Sequence, residues 1–184
     1  MILLPLANAG VPMLFVQAPA LIITLPIVIL IEALICANYL QIPKKNAFGA
    51  ATIANLISTV IGFPVLWFAL VLMQMLTGGG AAPRFKDPWL SIYAVTVQAP
   101  WVLPFEEKLY WMVPSAMLIL LVPTFFMSVL VEQFFYRRLL RSIVPDADFF
   151  KASWKFHLAS YGFLFALGLI LLAHALITHK SYLF

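Results

Sequence analysis

Residues 20–42, ALIITLPIVILIEALICANYLQI, form an apolar run in which Glu32 is the only charged side chain. As an α-helix this run would be about 35 Å long, enough to cross the roughly 30 Å of hydrocarbon in a bilayer. Three more apolar runs of comparable length follow at 47–76, 110–135 and 154–178. The sequence therefore predicts an all-α integral membrane protein, a single membrane domain with four transmembrane helices.

The composition of the chain agrees with a membrane location. Of its 184 residues, 64% are hydrophobic and 10% are charged, whereas about 25% of the residues in an average soluble domain are charged. The net charge of +4 comes from thinly spread basic residues, so no nucleic-acid partner is predicted. Cys36 is the only cysteine, which excludes an intrachain disulfide and argues against a thiolate metal site. We expect membrane lipids, other membrane subunits or a second copy of the chain as partners.

The segments between the runs predict how the chain crosses the membrane. Residues 1–18 contain prolines at 5 and 12, and we interpret them as an interfacial or re-entrant segment. Basic residues concentrate in cytoplasmic loops. The regions after the first and third runs, including the loop at 136–153, hold seven of the eleven basic residues: Lys44, Lys45, Arg137, Arg138, Arg141, Lys151 and Lys155. The prediction is two helical hairpins with cytoplasmic turns and both termini outside, periplasmic or lumenal, in a bacterial inner membrane or an equivalent energy-transducing membrane.

The external connection at 77–109 and the residues that follow it are rich in aromatic side chains and prolines. Aromatic rings with a polar edge prefer the level of the lipid head groups. We therefore predict a membrane-hugging loop or a short interfacial helix, with a docking surface for another membrane subunit as the alternative. The candidate interfacial aromatics are Trp89, Trp101, Tyr110 and Trp111.

The two predicted hairpins resemble each other. The sequences ILIE at 29–32 and VLVE at 129–132 lie 100 positions apart. In the helices that follow, the matched pairs lie 102 positions apart: Ala50 with Ala152, Asn55 with His157, and Ser58 with Ser160. Such a match predicts a parallel internal repeat about an axis along the membrane normal, with a chance resemblance as the alternative.

Glu32 and Glu132 stand out because an ionisable side chain inside a membrane costs about 2.5 to 3.5 kcal/mol on insertion scales. The repeat would place both near Asn55 and His157, and these four residues are our candidate polar intramembrane cluster. The cluster could relay protons, coordinate a cation or bind a polar head group. In the simpler interpretation, Glu32 fastens two helices by hydrogen bonds, Glu132 is a helix-end carboxylate beside cations, and His157 is a solvated interfacial histidine.

One face of the second run carries small residues at every fourth position. Small side chains allow a neighbouring helix to approach closely in a membrane. We expect the second and fourth helices to occupy the interior of the bundle, with the second making the closest contact. The candidate packing face consists of Ala50, Ala54, Ser58 and Gly62.

Two further motifs bear on chemistry. His174 lies on the apolar fourth run and could ligate haem or chlorophyll, but the other three runs contain no histidine for a second axial position, and no cofactor is predicted. Residues 132–137, EQFFYR, are similar to the Glu-Glu-x-x-x-Arg signature of the CAAX-type intramembrane protease family. That resemblance implies water activation by carboxylates, with histidines on later helices. Gln133 replaces the second glutamate, and no later Phe-x-x-x-His follows.

The sequence contains no catalytic or metal-binding motif, so we predict no catalytic residue and no metal site. The scarcity of charged groups within the runs favours a non-catalytic protein, an accessory or assembly subunit of a larger membrane complex. The first alternative is a small transporter or channel component with a proton or cation path at Glu32 and Glu132. The second is a membrane-embedded enzyme.

Overall fold

The computed structural model of the chain describes residues 13–76, 96, 109–145 and 147–181. Four helices account for nearly all of these residues, and the part of the chain that the structure describes contains no strand. The helices are α1 (Met13–Leu40), α2 (Lys44–Leu76), α3 (Leu109–Leu140) and α4 (Phe149–Ser181).

Each helix contains a segment that is long and apolar enough to cross a membrane. The mean hydropathy of these segments lies between 2.0 and 2.7. The segments are Pro19–Leu40, Lys44–Met73, Tyr110–Leu140 and Phe149–Thr178. The predicted all-α class with four such helices is thus confirmed, and it indicates a multi-pass membrane protein.

The turn between α1 and α2 occupies only residues 41–43, and its conformation follows from its hydrogen bonds. Gln41 has a positive φ of 54°, and the backbone N–H of Ile42 donates to the carbonyl of Ala37 at 3.1 Å. A left-handed residue followed by this backbone contact is a Schellman motif, which ends a helix. Pro43 then starts the next helix, because its carbonyl accepts the N–H groups of Asn46 and Ala47.

Helix α4 begins at Phe149, ahead of the apolar run at 154. Asp148 provides the reason, because its side chain accepts the backbone N–H of Lys151 at 3.1 Å and its carbonyl accepts that of Ala152 at 3.0 Å. An aspartate in this position satisfies N–H groups that have no partner within the helix. The charged residues that follow are therefore part of the helix.

The chain divides into two compact units, and each helix contributes to both. We call the first the turn unit, because its residues, Ala20–Pro64 and Leu121–Ala166, include both short connections. The second, the terminal unit, comprises Met1–Pro19, Val65–Leu120 and Leu167–Phe184. Residues 1–12 and 77–108 lie outside the described residues apart from Thr96, as do the structural predictions made for them.

The core of the turn unit pairs small residues with large aromatic ones. Tyr136 and Phe156 are fully buried, and their ring centroids lie 4.9 Å apart with the rings steeply inclined. The same buried cluster contains a set of small side chains on α1, α2 and α4: Ala33, Cys36, Ala37, Ala47, Ala50, Ala51, Ala54 and Ala152. Small residues bring the helix backbones together, and the two aromatic rings fill the space between them.

The terminal unit contains a close approach between α3 and α4. A Cβ atom added to Gly168 would lie 2.7 Å from Cδ2 of Leu118 and 3.2 Å from its Cγ. No side chain fits there without displacing Leu118. Met112 and Ala116 form a small buried core in the same unit, with Trp111 and Val113 packed against it.

The expectation that α2 and α4 occupy the interior of the bundle stays a prediction. Each of the four helices has both buried and exposed residues along its described length. The small-residue face of α2 is real but narrow: Ala50, Ala54 and Ser58 are buried, while Ile53, Val60 and Val65 are exposed. One buried stripe marks close contact with a neighbour, but a central helix must be covered on most of its circumference.

Candidate intramembrane polar site

Three ionisable side chains from three helices meet in the turn unit: Glu32 of α1, Glu132 of α3 and His157 of α4. Their exposed fractions are 0%, 1% and 0%. His157 Nε2 lies 3.3 Å from Glu132 Oε2 and 3.9 Å from Glu32 Oε1. One potential ligand atom from each of the three lies within 4.8 Å of the others. We refer to these residues as the acid–imidazole cluster.

Glu32 is held by hydrogen bonds from all three other helices. Its Oε2 accepts from Asn55 Nδ2 at 2.7 Å and from the Tyr136 hydroxyl at 3.2 Å. Its Oε1 accepts from Ser160 Oγ at 2.7 Å. In each of these three contacts the carboxyl group of Glu32 is the acceptor. These bonds fix the carboxylate and link the four helices at one point.

Glu132 is only partly satisfied. Its Oε1 accepts from Ser58 Oγ at 2.6 Å, but its buried Oε2 has no hydrogen-bond partner. Among the described residues, no lysine or arginine forms an ion pair with either glutamate of the cluster. The interpretation of Glu132 as a helix-end carboxylate neutralised by nearby cations therefore does not describe the structure.

His157 is fully buried, in contrast to the solvated interfacial histidine of the simpler interpretation. Its Nδ1 lies 2.7 Å from the backbone oxygen of Ser153 and 3.1 Å from the hydroxyl of that residue. A carbonyl oxygen only accepts, so we assign a proton to Nδ1. The other nitrogen, Nε2, is buried and has no hydrogen-bond partner. In a neutral ring it carries a lone pair, and it faces Glu132 Oε2.

The contacts of α2 and α4 follow the same pattern. Asn55 donates to the glutamate of α1, and Ser58, three residues later, donates to the glutamate of α3. On α4, His157 lies against the glutamate of α3, and Ser160, again three residues later, donates to the glutamate of α1. Asn55 and His157 are also held alike, each by a carbonyl four residues earlier in its own helix.

Besides Ser160, which the sequence offered only as the repeat match of Ser58, two residues that contribute to the cluster were not among the sequence candidates. Tyr136, four positions after Glu132, lies on the same side of α3 and reaches Glu32. Ser153, four positions before His157, provides the carbonyl that orients the imidazole. Their only sequence signal is this spacing of four from a chosen residue, since a tyrosine or a serine in an apolar helix is unremarkable by composition.

The remaining sequence candidates lie elsewhere. Tyr110 and Trp111 are half-buried at the start of α3, and His174 is exposed on α4 in the terminal unit. Gln133 and Arg137, which belong to the six-residue resemblance, do not join the cluster. They line a groove of about 430 Å³ in the turn unit, together with Phe134, Arg141, Pro145, Ala147, Asp148, Phe149 and Phe150.

Asp148 is the charged group of this region whose titration is perturbed. It is fully exposed, and the N–H of Lys151 that it accepts holds the pKa of its carboxyl below the usual value. The Lys151 ammonium lies 3.6 Å away and acts in the same direction. This carboxylate is therefore a matched comparison for the buried glutamates, because it is exposed and lies outside the acid–imidazole cluster.

Comparisons with protein-family models, with curated proteins and with solved structures found no match to this chain. The fold and the cluster alone define the class, a multi-pass membrane protein with two buried carboxylates and an imidazole in mutual contact.

Proposed function

We propose that the chain is a small transporter or channel component in which the acid–imidazole cluster binds and passes on a proton or a cation. The observation that carries this proposal is the meeting of Glu32, Glu132 and His157, all fully buried, from three different helices. Ionisable residues within membrane helices are costly, and they mark ion paths and proton relays in membrane proteins.

A purely structural role accounts for the contacts of Glu32 but not for the unpaired atoms of Glu132 and His157. The three hydrogen bonds of Glu32 would suit a helix fastener. Glu132 Oε2 and His157 Nε2, however, face each other at 3.3 Å with no hydrogen bond. A buried polar atom without a partner costs about 1 to 3 kcal/mol. A bound proton or cation between these two atoms would remove that cost, which supports a site over a fastener.

The proposal includes two helical hairpins related by a parallel internal repeat. One observation supports it. The polar side chains of α2 and α4 contact the two glutamates in the same order, Asn55 and Ser58 on α2 and His157 and Ser160 on α4. An axis along the membrane normal would then pass between the two glutamates, as in transporters whose substrate site lies at the interface of two repeats.

We also propose that both short turns face the cytoplasm, with both termini outside, in a bacterial inner membrane or an equivalent membrane. The two turns belong to one compact unit, and Lys155 lies 4.1 Å above the ring of Tyr39, which brings the two ends together. The shared end carries most of the basic residues of the chain, as cytoplasmic ends do.

The test is ion flux in liposomes that contain the purified chain. Proton flux would be followed with a trapped pH-sensitive dye and divalent-cation flux with a trapped metal-sensitive dye. The double variant Glu32→Gln, Glu132→Gln should lose the flux, while the control Asp148→Asn, which removes an exposed carboxylate, should keep it. Flux of equal rate in the double variant and the wild type would contradict the proposal.

The accessory-subunit role remains a prediction with less support. Most of the small-residue face of α2 is not available to a partner subunit, since Ala50, Ala54 and Ser58 are buried within the chain. Lipids remain proposed partners, and an anionic head group would suit the groove beside Arg137 and Arg141. Haem ligation by His174 also stays a prediction.

A further inference from the structure

We propose that the acid–imidazole cluster is a binding site for a divalent first-row transition-metal ion, with Zn²⁺ and Mn²⁺ as the expected representatives. The ligands are Nε2 of His157, Oε2 of Glu132 and Oε1 of Glu32. This inference rests on the proposed function, since it names the cation that the cluster would bind.

The separations between the ligand atoms suit such an ion. Zinc binds nitrogen and oxygen ligands at about 2.0 to 2.2 Å, so neighbouring ligand atoms in a tetrahedral site lie roughly 3.3 to 3.6 Å apart. Nε2 lies 3.3 Å from one carboxylate oxygen and 3.9 Å from the other. One ligand atom from each residue lies within 4.8 Å of the others, so a shift of the glutamate side chains by up to roughly 1 Å would bring the three atoms to tetrahedral spacing.

Contacts behind the ligands hold them in the orientation that a metal requires. Metal-binding histidines donate their second ring N–H to a carbonyl or a carboxylate, and His157 makes this contact with the Ser153 oxygen at 2.7 Å. The other oxygen of each glutamate accepts a side-chain donor, from Ser58 for Glu132 and from Asn55 for Glu32. Of the three ligand atoms, Glu132 Oε2 and His157 Nε2 have no hydrogen-bond partner, whereas Glu32 Oε1 accepts from Ser160 Oγ at 2.7 Å.

The charge of the three ligands favours a divalent ion, and the imidazole nitrogen favours a transition metal. Metal ligands must be deprotonated, and in that form two carboxylates and a neutral imidazole carry a charge of −2, which one divalent cation neutralises. Ca²⁺ requires six to eight oxygen ligands, and Mg²⁺ keeps several waters and takes few protein ligands. A nitrogen ligand beside carboxylates favours first-row transition metals over both. Buried charge is tolerated when it is paired in this way.

The experiment uses the full chain, purified in mild detergent and stripped with a chelator. Zn²⁺ alone is titrated in by calorimetry and bound metal is counted by plasma mass spectrometry, with Mg²⁺ and Ca²⁺ as comparison ions. We expect one Zn²⁺ per chain. Affinity should fall at least about 100-fold in His157→Gln and in Glu132→Gln, since removing even an outer contact of a metal site costs 10- to 100-fold. The control Asp148→Asn should bind as the wild type does.

A measurement on the wild-type chain keeps the proposal testable if the variants do not fold. X-ray absorption of the Zn²⁺-loaded chain should show one imidazole nitrogen and carboxylate oxygens at about 2.0 to 2.2 Å. A first shell without imidazole, a failure of the stripped wild type to bind Zn²⁺, or equal binding by folded His157→Gln would each overturn the metal site.

Failure of this inference and failure of the proposed function give different results. Proton flux that depends on the two glutamates in a chain that binds no metal would overturn the metal site and retain the ion path. Stoichiometric Zn²⁺ in a chain whose liposomes pass neither protons nor metal would retain the site and overturn transport.

Discussion

Glu32 and Glu132 occupy matched positions, but their surroundings differ in a way that assigns them different roles. Glu32 accepts three hydrogen bonds, whereas Glu132 accepts one and keeps a free oxygen. A carboxylate with several donors is held rigidly, because each bond to a charged acceptor is worth about 1.5 to 3 kcal/mol. Glu32 therefore anchors the cluster, and Glu132 is the member with an oxygen to spare for a proton or an ion.

The anchoring role of Glu32 predicts a cost for removing its donor on α2. Asn55→Ala deletes a buried 2.7 Å bond to the carboxylate, and we expect a loss of about 1 to 3 kcal/mol in unfolding free energy. Thermal or denaturant unfolding in detergent measures it. Asn38→Ala is the matched control, because Asn38 is an exposed asparagine on α1. Equal stability of both variants would show that the bond to Glu32 contributes nothing.

At the level of residues, the sequence identifies the costly groups but not their partners. Glu32 and Glu132 are visible because a charge within an apolar run needs an explanation, and the repeat adds Asn55 and His157 to them. Tyr136 and Ser153 carry no such signal. Which polar atoms remain without a hydrogen bond, here Glu132 Oε2 and His157 Nε2, depends on side-chain rotamers and on which ring nitrogen of the histidine contacts a carbonyl. The spacing of residues along the sequence encodes neither of these.

Among the elements, the start of α4 depends on one exposed side chain. Asp148→Ala removes the acceptor for the Lys151 N–H, and we expect the first turn of α4 to fray. Hydrogen exchange at the Lys151 and Ala152 amides should quicken. Asp148→Asn should retain slow exchange, because asparagine caps helices as well as aspartate does. Unchanged exchange in the alanine variant would show that the cap is dispensable.

The same residue makes the first turn of α4 sensitive to acid. The folded pKa of Asp148 lies below its ordinary value, so its stabilisation is fully present above the unfolded pKa and is lost as pH falls through the folded pKa. We expect exchange at the Lys151 amide, corrected for its intrinsic rate, to quicken on acidification through that range. In Asp148→Asn the corrected rate should stay constant over the same interval, and a parallel change there would implicate another group.

Gly168 of α4 and Gly62 of α2 differ in the space around them. Gly168→Ala would bring a Cβ within 2.7 Å of Leu118, and we expect a loss of about 1 to 3 kcal/mol from overpacking. Gly62→Ala is the matched control. Its Cβ would make an ordinary 3.6 Å contact with Met127, and alanine is the better helix former by about 1 kcal/mol. Unfolding measurements in detergent should show that Gly62→Ala is at least as stable as the wild type and that Gly168→Ala is less stable.

The number of helices follows from the sequence more directly than their arrangement does. The apolar runs gave the number, because crossing a bilayer sets a minimum length. The small residues on one face of α2 predict that one neighbouring helix comes close. A central position depends on the whole circumference of a helix, which a single face of small residues does not encode.

In the whole molecule, many large apolar side chains of the described helices are exposed, and the buried polar side chains of the turn unit other than Thr24 converge on one cluster. Exposed residues such as Ile22, Val60 and Ile170 would face lipid, whereas Glu32, Glu132 and His157 are enclosed. Among the described residues of that unit, the cluster is the place where a buried imidazole and buried carboxylates meet. A chain that spans a membrane keeps such groups for a role, since replacing them with apolar residues would relieve their desolvation.

The proposed repeat makes a prediction about the molecule as a whole. Asn55 and His157 are both held by a carbonyl four residues earlier, and both lie against a glutamate. If the halves are equivalent, exchanging the two residues should be tolerated better than either change alone. We expect Asn55→His and His157→Asn to destabilise the chain singly, and the double variant to be at least about 1 kcal/mol more stable than the sum of the two losses predicts. The measurement is a double-mutant cycle, in which the unfolding free energies of the wild type, the two single variants and the double variant are compared in detergent. Strictly additive losses would mean that the two positions do not share one site, and the match 102 positions apart would then be a coincidence of two apolar helices.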